Sequence, residues 1–173
     1  MRITRIALEN FRALDAFAID LEAESCFIVG ENAIGKSSLI TAIARAVGRD
    51  RTFLRTDFLD LAKAIDIRVT LTGLDAAQQG VFADAADFGA VISVTMGVTA
   101  IWDPDAEEVE VTHGYPTKAW RKSNRSERDA VELYWIPDSR DASRLLQFGS
   151  RRGLIPDALA KLDLEKPIST AID

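Results

Sequence analysis

Apolar side chains alternate with polar or small ones in several stretches of the chain, and a period of two predicts half-buried β-strands. This alternation occurs at residues 17–21, 65–71, 92–102 and 109–111, and Ile3, Ile6 and Leu8 indicate a further short strand at the N-terminus. The turn-forming residues Asp103-Pro104-Asp105 separate the last two stretches. The pattern therefore predicts an antiparallel hairpin over residues 91–112.

Two other patterns interrupt the alternation. The run Cys26-Phe27-Ile28-Val29 is apolar throughout, which predicts a strand that is buried on both faces. Apolar residues then recur at helical spacing from Leu39 to Val47, and Gly48 is a natural end for that helix. Shorter helices are predicted within residues 74–87 and, in two pieces, within 140–164.

Strands and a helix in the first third, followed by hairpins, predict an α/β fold with a mixed sheet and an antiparallel β section. The 173 residues correspond to a single domain, which we expect to be part of a larger one. Its predicted sections are a core at 1–56, a β-rich section at 57–136 and a helical segment at 137–173.

Composition narrows the class of protein. Apolar residues make up 47% of the chain and charged residues 28%, which is typical of a globular protein rather than a disordered one. The single cysteine, Cys26, excludes a disulfide framework and a multi-cysteine zinc site, and we expect it in the core. Because no stretch approaches 18 apolar residues, we expect a cytoplasmic protein without a membrane span.

The charged residues are distributed unevenly. Residues 57–117 carry 2 basic and 11 acidic side chains, a net charge of −9, and residues 118–152 carry 9 and 5, a net charge of +4. A basic block of this kind is a candidate footprint for DNA, although a solvated helix or loop is the better explanation for most of it. Its members are Lys118, Arg121, Lys122, Arg125, Arg128, Arg140, Arg144, Arg151 and Arg152.

One motif predicts chemistry directly. Residues 30–37 match G-x-x-x-x-G-K-[ST], the pattern of a phosphate-binding loop. Gly30 and Gly35 permit the curled backbone whose N–H groups can surround a phosphate chain. Lys36 can reach the β- and γ-phosphates, and the hydroxyl of Ser37 is suited to a Mg²⁺ ion.

The surroundings of the motif support this interpretation, because a predicted buried strand precedes the loop and a predicted helix follows it. We therefore predict a site for ATP and Mg²⁺, with Ser37 as the metal ligand. The predicted nucleotide-binding residues are Gly30, Glu31, Asn32, Ala33, Ile34, Gly35, Lys36, Ser37 and Ser38.

Two longer runs resemble a known family. The run Gly-Glu-Asn-x-x-Gly-Lys-Ser-Ser-Leu at 30–39 and the opening Ile-x-x-Ile-x-Leu-Glu-Asn-Phe-Arg at 3–12 resemble the RecF and SMC group of ABC-type ATPases. Within that group the chain is most similar to the OLD (overcoming lysogenization defect) nucleases, which also share Asp57-Phe58 and a segment like 134–141. The resemblance implies the N-terminal lobe of a P-loop NTPase of the ABC type.

The resemblance also implies partners and a further site residue. In ABC-type ATPases the P-loop of one subunit faces the signature motif of another, so the expected partner is a second copy or a complementary ATPase lobe. Such proteins act in DNA repair or phage defence, which makes DNA a possible partner. Arg12 matches a basic residue that lies near the nucleotide in similar ATPases, although an exposed arginine at a strand end is an equal alternative.

Several family features are missing from the sequence. It contains no LSGGQ-like signature, no convincing Walker B motif and no room for a Toprim nuclease domain. Asp138, Ser139 and Arg140 stand where the Q-loop is expected, and Gln147 comes too late. We therefore expect the N-terminal lobe of a longer ATPase, which binds ATP but hydrolyses little of it alone.

Two other functions compete with this one. A nucleotide-gated dimerisation module would bind ATP without hydrolysing it in any context. A kinase or GTPase is disfavoured, because the chain has no N-K-x-D guanine motif and no D-x-x-G after the P-loop. The remaining chemistry-bearing side chains are interpreted as structural: His113 has no second histidine for a metal site, and Trp102, Trp120 and Trp135 are interpreted as packing residues.

Overall fold

The computed structural model describes residues 1–23, 25–32 and 34–133. The chain divides into two compact units, Met1–Glu132 and Leu133–Asp173, and the described residues lie almost wholly in the first. The strands of this unit are β1 (Arg2–Phe11), β2 (Leu14–Asp20), β3 (Ile65–Thr72), β4 (Asp87–Phe88), β5 (Ile92–Asp103), β6 (Glu108–Tyr115) and β7 (Arg121–Lys122). Its helices are α1 (Lys36–Ala46), α2 (Ala76–Val81) and α3 (Arg125–Asp129), with 3-10 turns at Arg55–Asp57 and Pro116–Lys118.

The strands form one sheet in the order β2-β1-β3-β5-β6-β7. The short strand β4 pairs with the N-terminal end of β5. One row of side chains crosses four strands in register: Leu8, Ile67, Val98 and His113. The predicted hairpin over 91–112 is confirmed as the pair β5–β6. Every pairing in the described part is antiparallel, so the expectation of a mixed sheet is wrong for these residues.

Alternation explains which face of the sheet is covered. In β3 the side chains of Ile65, Ile67 and Val69 are fully buried, while those between them are polar. Helix α1 packs against β1, β3 and β5 and buries Leu39 and Ala42 on this face. Each large apolar side chain covered in this way contributes roughly 1.5–3 kcal/mol to stability.

Helix α1 ends close to the glycine that the sequence predicts as its end, Gly48. Gly48 adopts φ +76, a left-handed conformation that is strained for other residues. Its N–H donates to the carbonyl of Arg45, and the N–H of Arg49 donates to the carbonyl of Ala44. This is the hydrogen-bond pattern of a Schellman motif, and it satisfies two carbonyls that the helix would otherwise leave unpaired.

The predicted strand at 26–29 is wrong. The structure has no strand there, and the side chains of Phe27 and Val29 are 90% and 89% exposed. Cys26 is also exposed, so its predicted place in the core is wrong as well. An apolar run forms a doubly buried strand only where strands flank it and layers cover it, and none of the described strands pairs with this segment.

The remaining elements differ from the prediction mainly in length. The helix predicted within 74–87 is confined to α2, and β4 follows it. The two helices predicted within 140–164 lie outside the described residues. Among the residues that are described, no helix is long and apolar enough to cross a membrane.

Candidate nucleotide-binding site

The loop from Gly30 to Ser38 joins the exposed segment 26–29 to helix α1. Gly35 is the N-cap of the helix and has φ +102, which side chains other than glycine rarely adopt. A Cβ added there would lie 3.0 Å from Cδ2 of Leu14. The backbone angle therefore favours glycine at this position, and the Leu14 side chain leaves little room for a Cβ.

The first turn of α1 is free to receive an anion. No side chain among the described residues caps it, and no acidic residue lies in it. The first hydrogen bond of the helix runs from the N–H of Leu39 to the carbonyl of Gly35, so helix geometry leaves the N–H groups of residues 36–38 without a partner within the helix. These N–H groups form the positive end of the helix dipole.

The side chain of Lys36 lies across the loop. Its Nζ donates to the carbonyl of Gly30 at 2.7 Å and to the carbonyl of Glu31 at 2.5 Å. The ammonium group thus lies over the loop that precedes it, and its two hydrogen bonds join the end of the loop to its beginning. An ammonium group has three N–H donors, so one beyond these two contacts can bind a phosphate oxygen, and further contacts to phosphate replace those to the carbonyls.

The other predicted P-loop residues face solvent. Glu31, Asn32, Ile34 and Ser37 are exposed, and Ser38 is half-buried. Ser37 lies in the first turn of α1, where its carbonyl accepts a hydrogen bond from Oγ1 of Thr41 at 2.9 Å. Ala33 lies outside the described residues. The structure therefore leaves the predicted metal ligand, the Ser37 side chain, accessible at the start of the helix.

Arg12 lies in the turn between β1 and β2, with a left-handed φ of 54°. Its backbone N–H donates to the carbonyl of Asp57 at 2.7 Å, and its Nε donates to Oδ1 of the same residue at 2.8 Å. The guanidinium group lies 5.1 Å from the ring centroid of Phe11, and the side chain is 35% exposed. Arg12 is therefore a fixed residue rather than a loose arginine at a strand end.

Asp57 is buried and forms the centre of this arrangement. Its Oδ2 accepts the N–H of Leu54 at 2.9 Å and lies 2.7 Å from Nη1 of Arg45. Burial alone would raise the pKa of Asp57, but the Leu54 N–H and the guanidinium groups of Arg12 and Arg45 together hold that pKa below its ordinary value. The carboxylate therefore stays charged at neutral pH.

The sequence analysis missed the role of Asn10. This buried residue has φ 57° and donates from Nδ2 to the carbonyls of Asp60 and Lys63, at 2.8 and 2.7 Å. Its Oδ1 accepts the N–H of Asp60 at 2.7 Å. The signal was present in the run Asn10-Phe11-Arg12, but sequence alone gave no partner for the amide.

Leu14 brings the β1–β2 turn to the P-loop. Because a Cβ on Gly35 would meet the Leu14 side chain, that side chain lies directly against the start of α1. Arg12 stands two residues earlier in the same turn. The structure thus brings two predicted parts of the site, the P-loop and the Arg12 turn, to one place.

The basic block is largely neutralised by its own neighbours. Lys118 pairs with Asp87 at 2.7 Å, and Arg121 pairs with the buried Glu127 at the same distance. Arg125 pairs with Asp129 at 3.4 Å. The block's members at positions 140, 144, 151 and 152 lie outside the described residues. Within the described part, the block is therefore a set of local ion pairs more than an open positive surface.

His113 is a buried structural residue. Its Nε2 lies 3.1 Å from the carbonyl oxygen of Arg45, which ties β6 to helix α1. Burial is the main cause that lowers its pKa to about 4, and the positive charge of Arg51 adds to this effect. No group of three or more potential metal ligands occurs among the described residues.

The tryptophans and the Q-loop candidates complete the set of predicted residues. Trp102 lies under the guanidinium of Arg55 at 5.4 Å, and Trp120 lies under that of Arg68 at 5.9 Å. These contacts agree with a packing role for both rings. Trp135, Asp138, Ser139, Arg140 and Gln147 lie outside the described residues.

Comparison with known proteins adds a family and a fold. A solved structure from work on the structural biochemistry of ATP-driven dimerization and DNA stimulated activation of SMC ATPases has a TM-score of 0.50 to this chain, with 14% identity. The match covers 92% of this chain and 96% of the other, and at this identity it concerns the fold. No curated protein matches the chain.

Residues 1–94, more than half of the chain, match the family described as AAA ATPase domain. These residues include the P-loop, helix α1, the β1–β2 turn and Asp57. The match agrees with the expectation of an ATP-binding ATPase fold similar to that of SMC proteins. The chain belongs to the AAA ATPase domain family.

Proposed function

We propose that residues 30–38 bind the triphosphate of ATP together with Mg²⁺, as the P-loop of an ABC-type ATPase lobe. The observation that carries this proposal is the junction of loop and helix. There a left-handed Gly35, an uncapped helix N-terminus and the Lys36 ammonium converge on one exposed place. This combination of N–H donors and a cation suits a polyphosphate.

Each residue has a defined task in this proposal. Lys36 leaves the carbonyls of Gly30 and Glu31 and pairs with the β- and γ-phosphates. The first-turn N–H groups of α1 hold phosphate oxygens, and the hydroxyl of Ser37 becomes a ligand of Mg²⁺. Arg12 supplies a second cation from the neighbouring turn. When bound, Mg²⁺ neutralises phosphate charge and thereby favours phosphoryl transfer.

We further propose that two such lobes close on ATP and that this closure controls work on DNA. The resemblance to the OLD nucleases in residues 3–12 and 30–39 supports this extension, as does the fold likeness to an SMC ATPase. ATP hydrolysis then requires residues of a complementary lobe. The isolated chain is expected to bind ATP and to turn it over slowly.

The test of ATP binding compares three proteins by calorimetric titration with Mg–ATP: wild type, Lys36→Ala and Lys122→Ala. Lys122 is an exposed lysine of β7 and serves as the matched control for loss of one positive charge. Since a hydrogen bond to a charged group contributes about 1.5–3 kcal/mol, K36A should lose roughly tenfold or more in affinity. K122A should bind as the wild type does.

Two results would contradict the proposal. One is a wild-type chain that is folded but does not bind Mg–ATP. The other is equal affinity in the wild type and K36A, which would place ATP elsewhere on the molecule.

A further inference from the structure

We propose that Asp57 is a positioning residue that fixes the Arg12 guanidinium for contact with the phosphates of the bound nucleotide. This inference rests on the proposed function, because it concerns a contact within the same site. Asp57 itself touches no ligand in this arrangement. It acts through Arg12, and its position 45 residues further along the chain kept the pair hidden in the sequence.

First, the carboxylate of Asp57 binds only one of the three nitrogens of the Arg12 guanidinium group. Asp57 accepts from Nε, at 2.8 Å, and no hydrogen bond among the described residues occupies the two Nη groups. A guanidinium has a rigid fork of donors, so a partner at Nε sets the direction of the remaining ones. Those terminal donors are the ones that can bind two oxygens of a phosphate group.

Second, the carboxylate of Asp57 is held in one orientation by its other partners. Its other oxygen, Oδ2, accepts the N–H of Leu54 and pairs with Arg45 at 2.7 Å. Arg45 is itself buried and lies 4.5 Å from the ring centroid of Phe53 and 5.3 Å from that of Phe11. Oδ1 is therefore presented to Arg12 in one orientation.

The third argument is the backbone of Arg12. A non-glycine residue at φ 54° is strained, and such strain persists where the surroundings over-determine it. Here the Arg12 N–H is bonded to the carbonyl of Asp57, and Phe11 forms a β-bridge with Phe58. The same segment thus holds both the main chain and the side chain of Arg12.

The fourth argument is location. Leu14, two residues after Arg12, lies against Gly35 at the start of α1. Arg12 therefore lies in the turn just before the strand residue that contacts the start of α1, and its side chain is 35% exposed rather than enclosed. A cation held in this way next to an anion-binding helix end is suited to polyphosphate rather than to the base or sugar.

The experiment is a double-mutant cycle on the affinity for Mg–ATP and for inorganic tripolyphosphate. The proteins are wild type, Arg12→Ala, Asp57→Asn and the double variant. Because the contact is to phosphate, R12A should weaken both ligands by the same factor, about tenfold. D57N should weaken binding several-fold when Arg12 is present and by less than about twofold in the R12A background.

Two further variants keep the test decisive. Asp50→Asn removes the other acidic partner of Arg45, which lies at 3.4 Å, and should leave the affinity unchanged. Arg12→Lys keeps the charge but lacks the rigid fork, so an ammonium that pairs with Asp57 offers phosphate no fixed bidentate pair of donors. R12K should therefore bind almost as weakly as R12A, and this comparison holds even if D57N fails to fold.

Each contrary result has a distinct meaning. Equal loss from D57N in both backgrounds would make Asp57 a general structural residue and overturn the inference. Wild-type affinity in R12A or R12K would also overturn it, while the proposed function stands as long as K36A remains weak. A wild-type chain that binds neither ligand would overturn both.

Discussion

At the scale of single residues, the candidate site depends on buried side chains that hold neighbouring loops and side chains in place. Asn10 holds the loop at residues 60–63, and Asp57 holds Arg12 and Arg45. Each is buried and polar, and each has hydrogen-bond or charged partners for its polar atoms, as a buried polar group must. The energetic weight of the site therefore lies partly in residues that do not meet the nucleotide.

His113 gives a prediction on the pH dependence of stability. Its pKa is about 4 in the folded chain and 6.5 when exposed, so the unfolded chain binds more protons between these values. Stability should thus fall as the pH is lowered from about 6.5 to 4, by up to about 3 kcal/mol from this residue.

Urea unfolding at pH 7, 6, 5 and 4 tests this, with His113→Gln as the comparison. The wild type should lose more stability over this range than H113Q, which has no titratable side chain at position 113. Parallel curves for the two proteins would show that His113 contributes nothing to the pH dependence.

At this scale, the sequence predicts the place of a residue when its structural partners are close to it in the chain. The P-loop motif, which is contiguous, placed Gly35, Lys36 and Ser37 correctly around the start of α1. The partner of Arg12 is Asp57, and no local pattern links them. The contact of His113 with the Arg45 carbonyl likewise depends on how β6 packs on α1.

At the scale of elements, local patterns were reliable where a neighbour in sequence satisfies them. The β5–β6 hairpin and helix α1 follow from alternation, turn residues and helical spacing. The apolar run at 26–29 was misjudged, because burial on both faces needs flanking strands that a run of four residues cannot specify. The result is an exposed apolar segment immediately before the P-loop.

The end of α1 gives a prediction with an internal control. Gly48→Ala places a Cβ in a left-handed conformation and 2.6 Å from Cδ of Arg128, so it should destabilise the chain by about 1–2 kcal/mol. Gly80→Ala, in α2, meets no atom within 4 Å and should stabilise it by about 0.5–1 kcal/mol.

Urea midpoints of the two variants measure this difference. Opposite signs for G48A and G80A are the expected outcome. A G48A variant as stable as the wild type would mean that the Schellman motif at this helix end does not limit stability.

At the scale of the whole molecule, the described unit is an antiparallel sheet covered on one face by α1, with the candidate site where α1, the P-loop and the β1–β2 turn meet. The chain carries a net charge of −6, and the described part of its basic block is mostly engaged in ion pairs. These charges therefore favour nucleotide binding over DNA binding as the function of the described part.

If two lobes close on ATP, the mass of the particle in solution should depend on the nucleotide. Sedimentation of the 19.0 kDa chain should show a species of about twice that mass when Mg–ATP is present and the monomer when it is absent. Lys36→Ala should remain monomeric under both conditions. A dimer that forms equally without nucleotide, or in K36A, would separate association from ATP.

The most direct measurement of the central claim is amide hydrogen exchange with and without Mg–ATP. The claim is that main-chain N–H groups between Gly30 and Ser38 hold the phosphates, and exchange reports on those groups individually. We predict that ATP, at a concentration above the Kd of the wild type and below that of Lys36→Ala, slows exchange in peptides that cover 30–38 in the wild type and much less in the variant, with β3 and β5 the same in both. ATP that binds without slowing exchange in this loop would contradict the account.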